Sequence, residues 1–403
     1  MTHGPEKYLN EIRRVSKKYP EMIIIPGCET SAYYYWTGSL FNKDLTVNNY
    51  DRKMIIINLD NPDGYSSLPN LHNRLSFRYS KKMIPGAMVL VVPLFIGLLL
   101  LRWKGFTRII AFLIVILSIM AIIDYNPFRS SLFSPYRGDQ GIAPYQELID
   151  YVNGRGGLCF WNYPEQKSGT RKIDQNLPDL LSNLLKSIGL SDVTVRANTL
   201  PYAHVLHESN GYTGFAAIYG EYTTTTDPGN EWDRVLNEYC RGERDKAPWG
   251  ISAADFHEDR RLNLRQGAFP TIFLVKEFSK TGIIESIKNG RAYCSRGDGR
   301  AWLKLDYFNV FGKEGRKAFM GETLVTEKHP VIKFRISYDN QVLRSITLHL
   351  IRGGELLKTF KGETPMEIEY TDDKAPLHKK TYYRLIDHRE HLASNPIFVT
   401  YKP

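Results

Sequence analysis

Three short stretches pair polar side chains with strand-like apolar runs, and each could carry chemistry. Trp249–Asp255 (WGISAAD) reads as a buried strand, and Asp255-Phe256-His257 closes it. On a strand, residues i and i+2 point to one side, so a carboxylate and an imidazole placed there can share one metal ion. A salt-bridged loop start is the plainer use of the same residues. The second stretch, Ile25-Pro26-Gly27-Cys28-Glu29-Thr30-Ser31, puts Glu29 directly after an expected strand over Met22–Ile25. Barrel enzymes hold their ligands at that place, although a capping carboxylate also fits. Cys28 faces away from Glu29 if the strand continues, which makes it a core thiol rather than a nucleophile. The third stretch, Gly156–Glu165 (GGLCFWNYPE), is again a strand ending in polar groups, with Asn162, Tyr163 and Glu165 within reach of a site. Arg291, Arg296 and Arg300 are bidentate donors suited to a phosphate, or plain surface charges. His204 and Glu221 are further polar groups near expected strand ends.

The elements that must position these groups alternate. Helical spacing of Leu9, Ile12 and Val15 marks a helix over Pro5–Tyr19. Strands are expected at Met54–Leu59, Gly157–Trp161, Thr213–Tyr219 and Thr271–Val275, with helices at Pro144–Val152, Trp232–Cys240 and around Ile283–Lys288. Strand and helix in turn imply an α/β fold with a mostly parallel sheet or barrel. The last hundred residues change period. Val331–Tyr338, Ile346–Ile351, Met366–Tyr370, Tyr382–Ile386 and Ile397–Tyr401 alternate apolar and polar, the pattern of an antiparallel β-sandwich.

Two uncharged stretches interrupt the α/β part. Met83–Leu101 runs for 19 residues and Ile109–Ile123 for 15. The first reaches about 28 Å as a helix, close to the ~30 Å hydrocarbon layer. Arg102 to Arg108 join them, so they read as an antiparallel transmembrane hairpin, with both soluble parts on one face of the membrane. Arg102, Lys104 and Arg108 favour a cytoplasmic connecting loop, whereas Arg74, Arg78, Lys81 and Lys82 favour the opposite, which leaves the side open.

The chain has 403 residues and a formal charge of +10. That excess is spread out, and residues 301–403 carry 17 Lys and Arg against 13 Asp and Glu. With no basic arm, a nucleic-acid partner is not expected. Four cysteines in a chain of this length exclude a disulfide scaffold, and with no CxxC pair among them a cysteine zinc site is not expected.

The order and spacing of these motifs resemble the polymerase and histidinol phosphatase (PHP) family of metal-dependent phosphoesterases. The helix and PGCETS segment at 5–31 is similar to its glutamate motif, PYQELIDYVNGRGGLCFWNYPE at 144–165 to the elements leading to its Ala-His-Pro motif, and WGISAADFH at 249–257 to its closing Asp-x-His motif. SIKNGRAYCSRG at 286–297 resembles the helix and Gly-Arg segment that follow, and the sandwich, ending in Ser394-Asn395-Pro396, an added β domain of some members. The resemblance implies an irregular β/α barrel and a cluster of divalent ions (zinc, manganese or iron). A metal-bound water would hydrolyse a small phosphorylated substrate.

Glu29, Asp255 and His257 are the implied metal ligands, with Arg291, Arg296, Tyr163 and Glu165 as substrate contacts. The barrel would occupy residues 1–81 and 125–300, the membrane hairpin 82–124 and the sandwich 301–403. The lipid bilayer and the substrate are the expected partners. The family's opening His-x-His strand and Asp-His pair have no counterpart in this sequence. Lys53 stands near the place of a family histidine, and Asn162-Tyr163-Pro164 replaces Ala-His-Pro. Two readings follow: a membrane-anchored phosphoesterase, or a PHP-like membrane protein with a degenerate site that binds a ligand or partner.

Overall fold

The structure, a computed structural model, describes residues 4–39, 42, 44–71, 76–166, 195–256, 267–297, 301–387, 389 and 391–402, together with the backbone of 168–172. The chain opens with α1 (Pro5–Lys18), which starts on a proline and buries Leu9. The Tyr8 hydroxyl donates to the Gly27 carbonyl at 2.6 Å and ties α1 to β1 (Gly27–Thr30). The expected strand over Met22–Ile25 therefore falls later. Glu29 lies within a strand and not after one, while Ile25 packs beneath the sheet.

Next come β2 (Tyr35–Thr37), β3 (Thr46–Asn48), β4 (Lys53–Ile57) and the short α2 (Pro62–Ser66), capped by the Asn61 side chain at 2.9 Å. The apolar stretches form α3 (Ser80–Leu100) and α4 (Phe106–Tyr125), long and apolar enough to cross a membrane. They pack on each other but expose most of their surface, with Met88, Leu117 and Ile123 between 63% and 71% exposed. A side chain at Gly97 would meet Val115 at 2.9 Å and Ile114 at 3.0 Å, so the glycine lets the two helices close up. The Ser118 hydroxyl donates back to the Ile114 carbonyl at 2.7 Å, which satisfies it inside the apolar helix.

After α5 (Ala143–Asn153) follow β5 (Leu158–Asn162), β6 (Ser168–Lys172), β7 (Arg196–Thr199), α6 (Val205–Glu208), β8 (Gly214–Ile218), α7 (Glu231–Arg241) and β9 (Trp249–Ser252). Gly242, at φ +77°, ends α7 in the left-handed conformation that favours glycine. Among the described residues, β1-β4-β5-β8-β9 form one sheet, and β2-β3-β7-β6 a smaller one beside it. In the five-stranded sheet β5, β8 and β9 run parallel, and β4 is antiparallel to both β1 and β5; in the smaller sheet β3 and β7 are parallel. The sheet is thus more mixed than strand–helix alternation implies. An antiparallel neighbour needs no helical crossover, and β1 reaches β4 through β2 and β3 instead.

The two faces of this sheet differ. Met54, Ile56, Cys159, Trp161 and Phe215 pack against helices α5 and α7 in the main core. Ile55, Ile57, Leu158, Phe160 and Ile251 form the other face and pack against Ile283, Ile284 and Ile287 of α8 (Lys280–Lys288).

The remainder is β-rich. β10 (Thr271–Phe273) and β11 (Ala292–Ser295) precede β12 (Leu303–Phe311), β13 (Lys317–Phe319), β14 (Thr323–Thr326), β15 (Val331–Tyr338), β16 (Ser345–Arg352), β17 (Glu355–Glu363), β18 (Met366–Thr371), β19 (Lys380–Asp387), β20 (Leu392–Ser394) and β21 (Ile397–Tyr401). One sheet runs β10-β11-β20-β19-β16-β17, with β21 on β19 and β14 on β21; a second runs β13-β12-β15-β18. They enclose one core that includes Phe308, Phe334, Leu348 and Leu385, as in a β-sandwich. β10 and β11 come from before residue 300, yet they belong to this sheet through β20.

Two buried contacts fix the sandwich to the α/β part. Asn395 accepts from the Gly250 N–H at 2.8 Å and donates to Ala292 O at 2.9 Å. Arg384 Nε and Nη2 each reach an Asp233 carboxylate oxygen at 2.7 Å, both side chains fully buried, and the Tyr382 hydroxyl donates to Asp233 at 2.7 Å. Removing one partner of a buried ion pair leaves an uncompensated charge. Asp233→Ala should cost about 3–5 kcal/mol of stability, read as a lower urea midpoint. Asp233→Leu with Arg384→Met should recover most of that loss, because no buried charge remains.

Candidate ligand site at the strand ends

The register of β4 assembles the site. Lys53 is paired with Asn162 of β5, and Glu29 is paired with Ile55, two residues on from Lys53. Residues opposite one another, or two apart, share a face, so Glu29, Lys53 and Asn162 project together. Lys53 Nζ lies 3.0 Å from Glu29 Oε2, and Asn162 Nδ2 donates to Glu29 Oε1 at 2.5 Å. Both carboxylate oxygens of Glu29 are thereby engaged. The group stands at the carboxyl end of the parallel strands, on the face lined further down by Ile55 and Phe160.

Tyr163 and Asp255 complete one side. Tyr163 is 7% exposed and packs edge-on against Tyr219, ring centroids 5.1 Å apart. Burial raises the pKa of its hydroxyl, and the negative charges of Asp255 and Glu29 add to this, so it stays a neutral phenol. The Asp255 backbone N–H pulls the other way by hydrogen-bonding the phenol oxygen. Tyr163 and Asp255 both have left-handed backbones, at φ 45° and 48°. Such conformations cost energy in a non-glycine residue and need surrounding structure to hold them.

The strand expected to run to Asp255 stops at Ser252. Its N–H donates to Thr271 Oγ1 at 2.8 Å and its hydroxyl to Pro270 O at 3.0 Å, on the edge away from β8; the Ala253 N–H still donates to Ile218 O at 2.9 Å, and the chain then turns at Asp255, at φ 48°. Asp255 therefore does not have the strand geometry that the Asp-x-His spacing invites. His257 lies outside the described residues, as does Arg300.

Glu165 turns to a different task. Its carboxylate accepts from the Thr223 hydroxyl, the Thr224 N–H at 2.6 Å, the Thr224 hydroxyl at 2.5 Å and the Thr225 N–H at 3.0 Å. This pins the polar Thr223–Thr226 loop, which the sequence leaves without a role. Arg291 lies 3.5 Å from Glu322 and over the Phe319 ring, both in the sandwich. Arg296 stacks over Phe269 at 5.3 Å. The structure thus brings together Glu29, Tyr163 and Asp255, adds Lys53 and Asn162, and gives Glu165, Arg291 and Arg296 partners elsewhere. Burial pushes the Cys28 thiol up to about 12, in keeping with a core cysteine.

Among the described residues no three His, Cys, Asp or Glu side chains converge as metal ligands. The group around Glu29 does not suit a divalent ion, since the Lys53 ammonium beside its carboxylate repels a second cation and neither Lys53 nor the donating Asn162 amide is a ligand there. No protein-family model matches the chain, and no curated protein matches it either.

Glu165 makes a pH prediction. Burial works to raise its pKa, but the hydrogen bonds from Thr223, Thr224 and Thr225 outweigh that and lower it. A depressed carboxylate contributes stability above its unfolded pKa of about 4.3 and loses it as pH falls through the lower folded value. Glu165→Gln should lower the melting temperature at pH 7 and flatten its dependence on pH below about 4.3. Thermal scans across pH check both.

Proposed function

We propose that this chain is a membrane-anchored, PHP-like protein whose strand-end site binds a ligand or a protein partner without a metal centre. The observation that carries this is the Lys53 ammonium 3.0 Å from Glu29. The pair is about one-third exposed on each side, so by itself it is worth only ~0–1 kcal/mol. Its effect on a metal is larger. Two unit charges 4 Å apart interact by about 4 kcal/mol at an effective dielectric of 20, so a divalent ion on Glu29 would meet roughly 8 kcal/mol of repulsion. We read the five-stranded sheet as the wall of the irregular barrel that the resemblance implies.

The phosphoesterase reading keeps one observation in its favour. Asp255 is held in a left-handed conformation beside Tyr163, and strained residues gather at functional sites. Metal analysis of the purified full chain, after equilibration with zinc, manganese and iron(II), separates the two. We expect less than stoichiometric metal and no hydrolysis of p-nitrophenyl phosphate. Lys53→His, which removes the charge and adds a ligand, should gain metal. One bound equivalent in the native protein, with hydrolysis abolished by Asp255→Asn and His257→Ala, overturns the proposal in favour of the enzyme.

In this reading α3 and α4 cross the bilayer as a hairpin, and both flanking parts lie on the same side. The protein should stay with membranes through carbonate washing. Protease added to sealed vesicles should reach the segments before α3 and after α4 together, or neither.

A further inference from the structure

The residue before Lys53 is sent to the other face of the sheet and ends in an unusual place. Arg52 is 7% exposed, yet its guanidinium has no carboxylate and no hydrogen-bond acceptor among the described residues. Its Nε is sealed from solvent and unbonded. The Tyr145 ring of α5 and the Tyr202 ring hold it, each centroid 5.5 Å from Cζ. Both hydroxyls are already committed: Tyr145 donates to Tyr33 O at 2.9 Å, and Tyr202 donates to Asn162 O. The rings supply cation–π attraction but cannot satisfy the N–H groups.

Two more polar atoms of the same turn are buried without a partner, Asn49 Nδ2 and Asp51 Oδ2. Asp51 makes no ion pair with Arg52. Asp139, another acid near these rings, is exposed, and its Oδ1 accepts from the Gly141 N–H at 2.9 Å. Arg52 Nε and the Asn49 amide lack acceptors, and the outer nitrogens of the guanidinium are not sealed, which leaves its edge open to an incoming acceptor; Asp51 Oδ2 lacks a donor instead.

We infer that Arg52, between Tyr145 and Tyr202, is the anchor of a binding site for an oxyanion, a carboxylate or phosphoryl group that the guanidinium grips in a fork. The Asn49 amide is the second donor of the turn. His204 lies within the field of Arg52, and burial together with that charge lowers its pKa, which keeps it neutral and able to donate one N–H. The site is distinct from the Glu29 group yet joined to it, because Tyr202 bonds Asn162 and accepts from the Lys53 N–H at 3.4 Å. This inference names the ligand class for the binding-module reading and rests on it only in that the chain binds a ligand at all. The metal analysis above does not involve Arg52, so either conclusion can fail while the other stands.

The test uses the full chain in a non-ionic detergent. Sodium phosphate and sodium acetate are each compared with sodium chloride at equal ionic strength, by melting temperature and by calorimetric titration. We expect a saturable rise in melting temperature with at least one of the two. A response to phosphate alone identifies a phosphoryl ligand, and a response to acetate a carboxylate. Arg52→Lys, which keeps the charge but loses the fork, should weaken binding at least tenfold, and Arg52→Gln should abolish it. No response beyond chloride in the native protein, or native affinity in Arg52→Lys, overturns the inference. Should both variants fail to fold, phenylglyoxal labelling of the native protein, mapped by mass spectrometry, takes their place. Protection of Arg52 by the anion is expected, and equal labelling with and without it overturns the inference.

Discussion

Two adjacent cations, Arg52 and Lys53, go to opposite faces of one sheet, and the register of β4 decides which goes where. Pairing Lys53 with Asn162 and Ile55 with Glu29 sends the ammonium to the strand-end carboxylate and the guanidinium to the tyrosines. A slip of one residue would exchange them. It would also turn Met54 and Ile56, which are fully buried, out of the helix-covered core. At about 1.5–3 kcal/mol for each buried side chain of this size, the apolar pattern holds the register far more firmly than the ion pair does. The chemistry of the strand ends is thus a consequence of core packing one to four residues away.

The sandwich takes part in that packing. Asn395 bonds the backbone of β9 at Gly250 and that of β11 at Ala292, so the last of the parallel strands is backed by the C-terminal part. Asp233, on α7, accepts from Tyr382 and Arg384 of β19. Helix α7 packs on the sheet through Trp232, Val235 and Leu236. Neither contact touches Glu29 or Arg52, yet both stiffen the scaffold that holds them. A boundary drawn at residue 300 is real in sequence pattern but not in hydrogen bonding, since β11 pairs with β20.

The parts of the fold legible in sequence are those where one period runs long enough to be unambiguous. Val331–Tyr338 alternates cleanly, and both it and the mostly buried Ile397–Tyr401 form strands with those bounds. The two uncharged stretches became α3 and α4. The short strands were harder. Met22–Ile25 is more apolar than Gly27–Thr30, but the hydrogen bonds to Ile55 and Ile57 fall on the second, and pairing cannot be read from one strand alone. Asp255 was misplaced for a related reason. Ala253 still bonds Ile218 O of β8, but Asp255 turns out of the strand in a left-handed conformation at φ 48°, and residue spacing alone does not show that turn. Glu29, Tyr163 and Asp255 were visible as polar groups next to apolar runs. Arg52 carried no such mark, because nothing in the sequence says that Tyr145 and Tyr202 will close around it.

One helix connects the apolar hairpin to the Arg52 turn. The hairpin is inserted between β4 and β5, and its neck is closed by the Ser76 N–H donating to Phe128 O at 2.8 Å. Closing the neck spares the sheet the entropic cost of a long loose loop, so β4 and β5 can pair as if the insertion were absent. Just inside the neck, Arg78 lies over the Tyr151 ring of α5 at 4.5 Å and 3.4 Å from Glu147. Six residues earlier on the same helix, about 9 Å along its axis, Tyr145 stacks on Arg52. A rigid helix of three turns therefore carries a cation–aromatic contact at each end, one holding the hairpin and one holding the buried guanidinium.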